Sequence, residues 1–259
     1  MSNRWPIKWL RTGAPFGLLV LAGCHTGTPP DPNDPKDVGL MTAETVRRNL
    51  LWANEMLIER EVRHEISASE SRQYIALRAK ELITDLDITR IPQSAAWEYG
   101  EIFRTAEDWP TAEVLLKRAL IKPVNEDRRV NDSLRLAQVE AHLNHIPEAL
   151  RLAESTFNTP DAQGAPVLYG VYLDLAPVAR GKGYDVPLGQ LILGAFAVEK
   201  RTTVDAKTQA GAAFIGARRY HMFKALKLAA ELFHGAGRDD LLPTVQKEWL
   251  AVNSPQVRA

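Results

Sequence analysis

From Met41 onward the chain spaces its apolar residues at helical intervals and almost never alternates them. A strand turns successive side chains to opposite faces, whereas a helix brings residues three and four apart onto one stripe, so this period points to helices and away from a sheet. Val46, Leu50, Ala53 and Leu57 form such a stripe, with Arg47, Arg48, Glu55 and Glu59 largely off it. Thr42 is placed to cap the first helix, and a second begins near Ser67 or Ser69 and buries Ile75, Ala79, Leu82 and Leu86. Residues 41–90 therefore read as an N-terminal helical hairpin that breaks between Asp87 and Pro92.

The next stretch, Gln93 to Pro123, holds two helical patterns joined at Glu107-Asp108-Trp109-Pro110. Gly100 and Ala112 lie 12 residues apart, one in each pattern, and Phe103, Leu116, Ala119 and Pro123 follow at fixed offsets. This resembles the tetratricopeptide repeat, in which small residues let two antiparallel helices cross closely and a proline stops the second helix. The same interval separates Ala137 from Ala149, and Ala213 from Ala225, where Arg218-Arg219-Tyr220 would form the turn. Between them Val167–Ala179 and Pro187–Glu199 read as another hairpin, with a loop at Arg180–Asp185 that is longer than the repeat allows. Asp240 to Asn253 reads as a closing helix, with Pro243 in its first turn. The expectation is an all-α fold of stacked antiparallel hairpins, a TPR-like α-solenoid over residues 91–253 with a capping C-terminal helix.

The start of the chain has a different character. Arg4, Lys8 and Arg11 precede an apolar run that ends in Leu21-Ala22-Gly23-Cys24, the only cysteine. The run is about a dozen residues, and a membrane-spanning helix needs about 20. A charged start, a short apolar run and a leucine three residues before a cysteine resemble a bacterial lipoprotein signal. The resemblance implies that residues 1–23 are a signal peptide, removed in the mature protein, and that Cys24 carries the lipid. His25, where an aspartate resembles an inner-membrane retention signal in enteric bacteria, points to the outer membrane, facing the periplasm. Residues 24–40 are proline-rich and read as a disordered tether, which at ~3.1 Å per residue spans about 40 Å.

Charge narrows the partners. The chain carries 32 basic and 32 acidic residues, and without the three cations of residues 1–23 the net charge falls to near −3. That argues against a nucleic-acid binder, which needs a basic surplus. The lone Cys24 leaves no other thiol for catalysis or metal binding. His142 and His145 could seat a metal on one unbroken helix, but Asn144-His145-Ile146-Pro147 falls where the repeat turns. His64-Glu65 lacks the second histidine of a zinc-protease motif, Gly181-Lys182-Gly183 lacks the rest of a phosphate loop, and Asp239-Asp240 reads as a helix cap. No catalytic, cofactor or metal residues are expected.

In the repeat family the first helix of each pair lines a concave surface that binds peptides or helices of other proteins. The corresponding positions here are Trp97, Glu101 and Arg104 in one unit and Leu134, Gln138 and His142 in the next. They lack the lysines and asparagines with which some family members grip a chain-end carboxylate. Trp97 is expected either as a groove anchor or as a core residue between repeats. The chain thus reads as a non-enzymatic adaptor of the cell envelope, tethered to a membrane through Cys24 and binding a protein or peptide partner. The alternative is a helical-repeat enzyme or ligand-binding protein acting on cell-wall glycan, for which two carboxylates converging in a deep cleft would be the sign.

Overall fold

The computed structural model describes residues 43–84, 86–159, 167–203 and 205–253. The expected signal peptide, the tether, Cys24 and the Thr42 cap lie outside them. Among the described residues the fold is all-α, with no strand. No helix among them is long and apolar enough to cross a membrane.

Helices α1 (Ala43–Val62) and α2 (Ala68–Ile83) form a hairpin. Val46, Leu50 and Leu57 are buried on the predicted stripe of α1, and Ile75 and Ala79 on that of α2. Ser67 caps α2: its side chain accepts from Glu70 N, and the Glu70 carboxylate returns to the Ser67 N–H at 2.8 Å. This reciprocal capping box is what the Ser-x-x-Glu spacing encodes. Two 3-10 turns, Ile88–Arg90 and Gln93–Ala95, then lead into α3 (Ala96–Thr105). Both α1 and α2 pack on α3, so the break near residue 90 joins its two sides into one core.

Helices α3 and α4 (Trp109–Ile121) pack against each other, α4 packs on α5 (Glu126–His142), and α5 packs on α6 (Ile146–Glu154). Gly100 lets α3 and α4 approach closely: a Cβ there would come 2.9 Å from the Leu116 side chain of α4. Ala112, Ala137 and Ala149 are fully buried.

The turns share one design. After α3, Glu107 has φ 59°, with Asp108 N–H donating to Phe103 O and Glu107 N–H to Arg104 O. After α5, Asn144 has φ 67°, and His145 and Asn144 donate to Glu140 O and Ala141 O. His64 after α1 and Gly237 before the last helix repeat the pattern. These are Schellman closures, each satisfying helix-end carbonyls through one left-handed residue. Pro110 and Pro147 then sit in the first turn of the next helix, where a missing N–H costs nothing.

Val167 to Ala179 is helical but irregular: α7 (Val167–Tyr169), a π-helical stretch Gly170–Leu175, and α8 (Ala176–Ala179). Pro177 explains the widening. It has no N–H, and its ring crowds the carbonyl four residues back, so the preceding turn bonds five apart, as Ala176 N–H does to Val171 O. Gly181-Lys182-Gly183 makes the loop to α9 (Asp185–Arg201), with both glycines at positive φ. Lys182 Nζ donates to Ala141 O at 3.1 Å, placing a cation at the end of α5.

The C-terminal third differs from the sequence reading. The hairpin expected across Ala213 and Ala225 is a single helix, α10 (Gln209–Gly235). Arg218-Arg219-Tyr220 contains no proline to interrupt it, and Gly216 keeps a helical backbone. Arg218 instead reaches α9, its Nε 3.1 Å from Glu199 Oε1. Asp239 and Asp240 do not cap: they pair with His234 and Arg238, at the 3-10 turn Asp239–Leu241 that precedes α11 (Leu242–Asn253). Helix α10 packs on both α9 and α11.

Two cores result, and α5 belongs to both. Its Leu136 and Val139 join the cluster formed with α1 to α4, while Val130, Leu134, Ala137 and Ala141 join the cluster formed with α6 to α11.

Candidate functional site

A cleft of about 960 Å³ runs along α1, α2, α3, α5, the π-helical stretch and α8. Arg47, Leu50 and Asn54 come from α1, Arg72 and Ile75 from α2, and Trp97, Glu101 and Arg104 from α3. Arg128, Asn131, Arg135, Gln138 and His142 of α5 line it at four-residue or three-residue steps, which put them on one helical face. Leu173, Asp174, Pro177 and Val178 complete the wall.

Of the six groove positions expected from sequence, Trp97, Glu101, Arg104, Gln138 and His142 line this cleft. Leu134 does not: it is buried in the core, where its side chain lies 3.0 Å from the position a Cβ on Gly170 would take. Its place on α5 faces the second core and not the cleft, because α5 is covered on two sides.

Trp97 is half-buried and already has neighbours. The Arg128 guanidinium lies over its ring 3.8 Å from the centroid, and that of Arg47 at 5.2 Å. Each contact is worth about 0.5–2 kcal/mol, depending on how dry it is. The Nε atoms of both arginines are buried without a hydrogen-bond partner. Trp97 therefore acts as a platform that holds two cations from different helices. Trp109 is engaged too, stacked on His142 with ring centroids 3.7 Å apart and planes 4° from parallel. Loss of water around the His142 ring, and then the nearby Lys182, lower its pKa, so it is neutral at pH 7.

The acids of the cleft are tied down. Glu101 meets Arg104 at 2.8 Å and Arg135 at 3.1 Å, and Arg135 reaches on to Asp174 at 2.9 Å. Arg104 also donates to Gln138 Oε1 at 2.9 Å. Burial by itself would raise the Glu101 carboxyl, but Arg104 and Arg135 outweigh it and hold the pKa at about 2. Below the cleft, burial dominates at Asp132 and pushes its carboxyl up to about 6 despite its ion pair with Arg128. Glu107 is 3.9 Å from Lys80. Five arginines thus share the cleft with three carboxylates, and among the described residues Arg47 and Arg72 have no carboxylate partner.

The two histidines weighed as metal ligands are parted by the turn after α5. His145 Nδ1 lies 2.7 Å from Glu140 Oε2, and together with Glu113 these make the one cluster of metal-binding type among the described residues. Lys117 occupies its middle: Nζ is 2.8 Å from Glu140 Oε1 and 2.5 Å from Glu113 Oε1. An ammonium ion already supplies there the charge a metal would bring.

Arg47, Arg72, Arg128, Arg135, Trp109 and Asp174 line the cleft but are not among the groove positions expected from sequence. For Arg128 and Arg135 a signal existed, since they share the helical face of Gln138 and His142. The others depend on which helices meet across the cleft.

The chain matches no protein-family model, no curated protein and no solved structure.

Proposed function

We propose that this protein is a non-enzymatic adaptor of the cell envelope, held to a membrane through lipid on Cys24, whose TPR-like hairpins form a docking cleft for a segment of a partner protein. The observation that carries the reading is the origin of the cleft wall. It comes mainly from α1, α3, α5 and the α7–α8 segment, the first members of successive helix pairs. In a stack of hairpins that is the side left open for a ligand. The carboxylates favour an adaptor over a glycan-cleaving enzyme. Glu101 and Asp174 are joined through Arg135, and Glu101 stays ionised, so it is not poised to deliver a proton. A lipid tether would raise the local concentration of the cleft at the membrane and support contacts too weak to form in dilute solution.

Affinity capture from envelope extracts tests the cleft, comparing the mature protein with Trp97→Ala. The substitution removes the platform under Arg47 and Arg128, and the expected result is loss of the partners bound by the unaltered protein. An unchanged set of partners on a folded variant would remove the cleft from the function. Incorporation of a fatty-acid probe tests the anchor separately, with Cys24→Ser expected to abolish labelling.

A further inference from the structure

The chemistry of the cleft narrows its occupant. The mature chain as a whole is expected to carry a small acidic excess, yet this one cleft concentrates Arg47, Arg72, Arg104, Arg128 and Arg135. Arg104 and Arg135 are occupied by Glu101 and Asp174, and Arg128 is paired with Asp132. Arg47 of α1 and Arg72 of α2 both line the cleft and have no carboxylate partner among the described residues, and Arg47 lies over Trp97. A guanidinium resting on an indole presents its N–H groups in its own plane. That edge matches the two oxygens of a carboxylate, and the stacked face is unavailable to water.

We infer that the occupant of the cleft is an acidic segment of a partner protein, whose side-chain carboxylates dock on the edges of Arg47 and Arg72. The inference rests on the docking reading of the cleft given above. Asn54, Asn131 and Gln138 lie along the same walls and offer amide groups to the segment's backbone, while Leu51, Leu173 and Val178 provide apolar contact between the charged points. A strand of nucleic acid is also anionic, but its bases need open aromatic faces for stacking. Trp97 is engaged by guanidiniums and Trp109 by His142. The volume is near the upper end of the roughly 300–1,000 Å³ of small-molecule sites, which carry few polar groups, whereas five arginines and three carboxylates line this one.

The test uses the full mature chain and fluorescent peptides of about a dozen residues, which extend to about 40 Å at roughly 3.3 Å per residue. One alternates glutamate with alanine, a second has glutamine for glutamate, and a third has lysine. Fluorescence anisotropy is expected to show binding of the glutamate peptide alone, weakening as salt is added. Arg47→Ala with Arg72→Ala is expected to reduce it at least about tenfold, or about 1.4 kcal/mol, while the variant keeps its helical circular-dichroism spectrum and a cooperative melt. Arg47→Glu with Arg72→Glu should transfer preference to the lysine peptide, a result that misfolding cannot produce. Equal binding of glutamate and glutamine peptides, tighter binding of an oligonucleotide, or undiminished binding by the double alanine variant each overturns the inference. So does binding that appears only after residues 25–40, with Asp31, Asp34 and Asp37, are deleted, since the chain's own segment would then be the occupant. A photo-crosslinker at Asn54 separates the two levels. Crosslinks to a partner segment without acidic residues leave the docking cleft standing and overturn the acidic occupant, whereas no crosslinked partner segment and no peptide binding overturn both.

Discussion

Glu101 and Asp132 lie close together, yet their carboxyls are pushed in opposite directions, and the difference comes from how many cations each can reach. Glu101 has Arg104 and Arg135. Asp132 is deeper and relies chiefly on Arg128. The sign of each contribution follows. With its folded pKa near 2 against an ordinary 4.5, Glu101 adds stability that is fully present above about pH 4.5 and is lost as the pH falls toward 2. Asp132, raised from 3.8 to about 6, works the other way, withdrawing stability as the pH rises between those values. Glu101→Gln is expected to cost roughly 3 kcal/mol at pH 7, because it strips a buried pair of one partner. In urea titrations the gap from the unaltered protein should close as the pH drops from about 4.5 toward 2. A gap independent of pH would mean that the charge of Glu101 is irrelevant. The cleft positions on α3 and α5 were legible in the sequence because helical spacing alone puts Trp97, Glu101 and Arg104 on one face. Leu134 was misplaced, since spacing cannot show that a second layer, at Gly170, covers that side of α5.

Helices and turns record a similar division. The Ser67 capping box, the Pro110 and Pro147 starts and the left-handed Asn144 follow from local chemistry and could be read directly. The unbroken α10 could not, because an alanine pair 12 residues apart fits one long helix as well as two short ones. Proline effects, too, depended on context: Pro177 widens its helix where Pro110 and Pro147 begin theirs. Glycines show why a residue's neighbours decide its role. In α9 a Cβ on Gly189 would lie 2.6 Å from the ring of Phe233, which is fully buried and has nowhere to move. In α10 a Cβ on Gly216 would meet nothing within 4 Å. Gly189→Ala is therefore expected to destabilise the protein by about 1–3 kcal/mol through overpacking. Gly216→Ala is expected to stabilise it by up to about 1 kcal/mol through helix propensity. Chemical denaturation of the two variants checks both, and a shared sign would contradict the packing described.

At the scale of the molecule, α5 is the helix on which both cores close. Opening either core alone leaves it half covered, so its amides are expected to be among the last to exchange with deuterated solvent. The measurement is native-state hydrogen exchange resolved by peptide. Faster exchange in α5 than in α2, whose outer face is exposed, would show that the cores open independently of it. Helix α5 also supplies Arg135, which links α3 to the π-helical stretch through Glu101 and Asp174. If the cleft takes an acidic segment as proposed, that link would set a threshold on what it selects. A single incoming acid that lands on Arg135 merely replaces a resident one, and the exchange is nearly neutral. A run of acids that settled on Arg47 and Arg72, which have no carboxylate partner among the described residues, would add new pairs. On the proposed docking reading, a partner segment with several negative charges in sequence would thereby be held in preference to one with a single charge.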